Sequence, residues 1–178
     1  FLYLIKATFF YYFKNIKIYA LNLTNLCIKY TFSKKKKILI QKTTLCFGTS
    51  LLFMGSYGVD VYGSLIAVGT EEDSIYFNSG AAQPSRGDWE NIHIKYSQNC
   101  NDAISRVISF QYCNINNGGG NGYYGVIFDE STFSERDHID CQAQLPIVNV
   151  LNSRVTNSAD KLIVSANSRI HVENTLLT

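Results

Sequence analysis

The chain has 178 residues, enough to bury one substantial core, with 46% hydrophobic residues and a formal net charge of +2. That small charge conceals a division: residues 1–59 carry nine lysines and no acid, whereas residues 60–178 carry 14 acids against seven basic residues, a net of −7. The acidic larger part argues against a nucleic-acid partner. An odd count of five cysteines with no C-x-x-C pair argues against zinc or a disulfide framework, and for small buried hydrophobes.

Residues 1–33 are aromatic and apolar but broken by Lys6, Lys14, Lys17 and Lys29, so no uncharged run approaches the ~20 residues that span a bilayer. They also lack the layout of a signal peptide. The chain opens on Phe1 in a composition unlike the rest. We therefore expect a fragment, or a reading frame extended upstream of its natural start, with residues 1–37 an atypical extension that is either a cap or not natively translated. Lys34 to Lys37, without arginine or an amphipathic partner face, read as a solvated linker.

From Ile38 the pattern changes to apolar alternation (Ile38/Ile40, Leu45/Phe47), so the second unit is set at 38–178. Within Tyr57–Phe77, Val59/Val61, Leu65/Ala67 and Ile75/Phe77 are pairs two residues apart, and Gly58, Gly63 and Gly69 punctuate them as turns between three short strands. The turn-rich NSGAAQPSRGDWEN follows and carries the sole tryptophan. Further on, Ile108/Phe110/Ile115 line up with Val148/Val150/Val155 and with Ile170/Val172/Leu177, at offsets of 40 and 22. A second series, Ile92/Ile94, Val126/Phe128 and Leu162/Val164, precedes each copy. The shorter offset reads as a minimal coil and the longer as a coil with insertions. A β-sandwich of seven or more short strands fits the glycine turns too, but aligned columns favour a solenoid.

GSLIAVGT with SIYF, followed by PSRGDWENIHI, resembles the corresponding stretches of the pectate-lyase-like superfamily. The resemblance implies an all-β fold, a right-handed parallel β-helix solenoid. It also implies that Gly87-Asp88-Trp89 is a turn with Trp89 packed on the coil, and that Asn116, Asn117, Asn152, Asn157 and Asn174 stack along turns in a structural role.

Candidate chemistry falls on two insertions. One, Gly118–Tyr124, ends in Tyr123 and Tyr124; the other, Asp129 to Pro146, holds Asp129, Glu130, Arg136 and Asp137. Two tyrosines beside an acidic loop have the chemistry to stack a sugar ring and bind its hydroxyls. The expectation is a non-catalytic repeat module, secreted or on the cell surface, that is structural, adhesive or carbohydrate-binding. Its partner would be a polysaccharide or surface glycan, with no nucleic acid, no membrane span and no cofactor. The alternative is a lyase or glycoside hydrolase acting on an acidic polysaccharide, for which the resemblance adds calcium if a lyase. The polygalacturonase set of Asn-Thr-Asp, Asp-Asp, Gly-His-Gly and Arg-Ile-Lys is absent, and His93, His138 and His171 have no metal-ligand spacing.

Overall fold

Short runs of Val, Ile, Leu and Phe at alternate positions, separated by Gly, Asn and Asp, favour strands over helices. The computed structural model is accordingly all-β, with no helix among the described residues, which are 21–26, 30–32, 38–95, 106–120, 122, 125–129, 148–166 and 169–178. The first three turns of chain have two strands each: β1 (Leu21–Leu26) with β2 (Tyr30–Phe32), β3 (Ile38–Leu45) with β4 (Ser50–Phe53), and β5 (Val59–Val68) with β6 (Ile75–Ser79). The next turns have three. These are β7 (Ile92–Ile94), β8 (Ile108–Gln111) and β9 (Cys113–Asn116), then β10 (Ile127–Asp129), β11 (Val148–Leu151) and β12 (Arg154–Thr156), then β13 (Ile163–Ser165), β14 (Ile170–Glu173) and β15 (Leu176–Leu177).

Every pairing among the described residues is parallel, each strand lying beside its counterpart one turn earlier or later. One sheet runs β2-β4-β6-β9-β12-β15. The other starts as β1-β3-β5 and divides there into β7-β10-β13 and β8-β11-β14. The result is a nearly closed, parallel β-helix-like solenoid, and a sandwich of antiparallel sheets is excluded. Among the described residues the pairing extends one turn ahead of residue 38, β1 lying beside β3 and β2 beside β4.

The division happens within β5. Val59–Val61 pair with β7, and Leu65–Val68 pair with β8. Between them β3 sets Ile40 against Val61 but Lys42 against Ser64, a bulge that adds one residue to β5 around Gly63 and bends it between two faces. Gly63 is thus a bend inside one strand rather than the turn expected from sequence, and Val59, Val61, Leu65 and Ala67 all stay on the buried side.

The aligned columns appear in register: Val148 lies between Ile108 and Ile170, Val150 between Phe110 and Val172, and Val155 between Ile115 and Leu177. The first two members of each column are buried. Val172 and Leu177, on the last turn, are 40% and 44% exposed. The second series needs a correction. Ile127 pairs with Ile92 on one side and Ile163 on the other, so the column is 92, 127 and 163 in place of 92, 126 and 162. All three residues of β7 and of β10 are buried, so alternation carries no phase there and a slip by one residue is invisible in the sequence.

Single residues with left-handed backbone turn the corners. Tyr112, Asn152 and Asn174 follow β8, β11 and β14 with φ of 50°, 47° and 47°, and Asn117 and Asn157 follow β9 and β12 with φ of 65° and 53°. Asparagine tolerates this region better than most residues, which accounts for its recurrence. The corner N–H groups of Tyr112 and Asn152 donate to Leu151 and Glu173 carbonyls one turn on, at 3.2 and 3.0 Å. Inside the same corner, the Cys113 and Ser153 N–H groups donate to the Ser153 and Thr175 hydroxyls at 3.0 and 3.3 Å.

Trp89 is fully buried, stacks on Phe53 with ring centroids 4.4 Å apart, and donates from Nε1 to the Asn116 carbonyl at 2.8 Å. The glycines after β9 pass directly over it. A Cβ at Gly118 would come within 2.9 Å of the Trp89 ring, and the Gly119 and Gly120 N–H groups donate to Glu90 and Trp89 carbonyls at 2.6 and 2.9 Å. Gly118–Gly120 is therefore a clasp holding two successive turns together.

Because Val148 is 1% exposed with a neighbour on each side, Val148→Asp buries an unpaired charge and is expected to cost more than ~3 kcal/mol, unfolding at least the last turns. Asn149→Asp, one residue along and half-buried, is the control. Equal melting of the two variants in thermal CD would contradict the register.

Candidate functional site

Of the side chains singled out in the sequence, Tyr123, Tyr124, Glu130, Arg136 and Asp137 lie outside the described residues. Asp129 does not belong to a loop. It ends β10, fully buried, in register with Ile94 and with Ser165.

The Arg86-Gly87-Asp88 tripeptide is a closed turn. Ser79 Oγ donates to Asp88 Oδ2 at 2.5 Å, Ser85 N–H to the same oxygen at 2.8 Å, and Ser85 Oγ to Oδ1 at 2.8 Å. These bonds, the one from Ser79 foremost, hold the carboxyl below its ordinary pKa. With both oxygens engaged in its own turn, Asp88 is a structural group.

The cysteines divide. Cys113 points inward with its thiol 3.3 Å from the Ala67 carbonyl, and burial pushes its pKa up to about 12, so it is inert at neutral pH. Cys46 is disulfide-bonded, which overturns the reading of all five as unpaired hydrophobes. His93 lies with Nδ1 3.8 Å from Asp60 Oδ1 and its ring 4.5 Å from that of Phe128, all three buried. Among the described residues no three His, Cys, Asp or Glu side chains gather where they could hold a metal ion, and no helix is long and apolar enough to cross a membrane.

An open groove of about 480 Å³ runs along the outer corner between β8-β11-β14 and β9-β12-β15. It is lined by the corner residues Tyr112, Asn152 and Asn174, stacked one per turn, and by Asn114 and Arg154, neighbours in register. Glu71 and Ser74, from the connection between β5 and β6, also line it. Amide donors and acceptors, a guanidinium, a carboxylate and a phenol ring are the groups that hydrogen-bond and stack a polyhydroxylated ligand.

One member is out of pattern. The other two described left-handed residues of this column are asparagine, whereas Tyr112 is bulky and carries the same geometry at an intrinsic cost of roughly 1–2 kcal/mol. Strain of this kind clusters at functional positions, which singles Tyr112 out in this column. The sequence held the signal, since Tyr112 aligns with Asn152 and Asn174 at the same offsets as the core columns, but only the αL backbone makes the mismatch visible.

Comparison with protein-family models, with curated proteins and with solved structures finds no match to this chain.

The lowered pKa of Asp88 has a stability consequence with a definite sign. Its contribution is fully present above its ordinary value of 3.8 and is lost as pH falls through the lower folded-state value. The Tm of Asp88→Ala is expected to lie below that of the wild type at neutral pH, with the gap closing on acidification below about pH 3.8; a gap that widens in acid would contradict the assignment.

Proposed function

We propose that the chain is a right-handed parallel β-helix of the pectate-lyase-like kind, acting as a non-catalytic structural, adhesive or carbohydrate-binding module of a secreted or surface protein. The observation that carries this reading is the one-turn repeat of the outer surface. Ser50, Tyr76, Asn114, Arg154 and Leu176 occupy successive rungs of one sheet, so side chains recur every ~4.8 Å along a rigid axis. A surface ruled at that interval suits a ligand that is itself a polymer, and the polar corner groove gives it hydrogen-bonding groups. The Cys46 disulfide supports an oxidising compartment.

The rival reading, a polysaccharide lyase or glycoside hydrolase with calcium as the lyase cofactor, needs carboxylates that reach substrate on a firm support. Asp129 has the firm support of a strand but is fully buried, which favours the binding module.

Incubation with a panel of neutral and polyanionic polysaccharides, with and without calcium, separates the two. The module is expected to retain at least one glycan on an affinity matrix while releasing neither unsaturated nor new reducing ends. Time-dependent appearance of such ends would establish the enzyme and overturn the module; no retention of any glycan would remove the carbohydrate-binding role.

A further inference from the structure

We infer that the corner groove is a binding site for a neutral oligosaccharide, with Tyr112 as the stacking platform for one sugar ring and the chain lying along the stacking axis of the coils. The inference rests on the carbohydrate-binding reading above and adds the site, the ligand's charge class and its direction.

Three observations converge on it. Tyr112 keeps a left-handed backbone, φ 50°, that its column mates meet with asparagine, and it lines the groove. Asn152 and Asn174 repeat beside it once per turn, so the same amide recurs along the axis and not around the coil, and Asn114 and Arg154 add polar groups on two successive rungs of the neighbouring sheet. A linear chain of similar rings meets similar partners only in that direction. Each Asn amide pairs a donor with an acceptor, the complement of vicinal hydroxyls on one ring. The groove holds one carboxylate, Glu71, and one guanidinium, Arg154, for a net charge of zero, so a polyanion gains no electrostatic advantage there.

The experiment is calorimetric titration with hexasaccharides of β-1,4-linked glucose, mannose and N-acetylglucosamine, and with hexagalacturonate as the anionic arm. The proteins are the wild type, Tyr112→Asn and Arg154→Ala. Tyr112→Asn adopts the residue its column already uses, so its Tm is expected to equal or exceed that of the wild type, while its affinity for the best neutral hexasaccharide falls about tenfold or more. Arg154 is exposed; its replacement is expected to weaken binding at unchanged Tm and serves as the deciding variant if Tyr112→Asn fails to fold. Neutral-sugar binding that survives in the folded variants would place the ligand elsewhere and overturn this site while leaving the module reading intact. Tighter binding of hexagalacturonate than of every neutral arm would overturn the charge class. If the wild type binds none of the four, the site falls together with the carbohydrate reading on which it rests.

Discussion

Parallel pairing of one turn of chain on the next is the constraint from which everything else here follows. A single turn such as β10-β11-β12 presents Ile127, Val148, Val150 and Val155 to the interior but has no second layer of its own to bury them. Only neighbours above and below remove that surface from water, at ~25 cal/mol per Å². The backbone ladder and the apolar columns therefore form together or not at all. Stability is shared between adjacent turns, and the last turn shows the converse: Val172 and Leu177, members of the core columns, are exposed where no further described strand covers them.

Stacking restricts what the corners can be. A turn that must close within a residue or two, at the same place in every coil, needs a sharp change of direction, and the left-handed conformation provides it. Asn152, Asn157 and Asn174 meet that need at modest cost, and the hydroxyls of Ser153 and Thr175 take up inward-pointing N–H groups that the bend leaves unpaired. The same restriction gives Tyr112 its meaning. In a column where the other members are asparagine, Tyr112 holds the same conformation with a bulkier side chain, and the proposed groove site rests on that mismatch. Longer connections have more freedom, and the turn around Trp89 uses it differently. There an indole fills the interior while glycines at 118–120 allow the next turn to close over it.

How far the sequence could be read depended on whether one face of each strand was buried or both. Ile108, Phe110 and Ile115 alternate with half-buried Ser109, Gln111 and Asn114, so the period of two is written into composition and the register with Val148–Val155 and Ile170–Leu177 was legible. β7 and β10 are buried on both faces, His93 and Phe128 included, and their phase was not. Gly63 looked like a turn because a glycine between two apolar pairs has that appearance; its role in a bulge depends on the strand beside it. Asp129 followed the same logic, a carboxylate placed in a loop by its acidic neighbours and in a strand by its pairing with Ile94. The corner groove was hidden because its lining comes from four separate segments brought together only by stacking.

Inter-strand backbone nuclear Overhauser effects around Asn149 test the stack most directly. The account predicts that Asn149 lies beside Ser109 on one side and His171 on the other, with Val148 and Leu151 flanked in the same order by Ile108 and Gln111 and by Ile170 and Glu173, the parallel pattern. Contacts in the reversed order, Val148 to Glu173 and Leu151 to Ile170, or none between these three segments, would contradict the solenoid and with it the groove built on its corner.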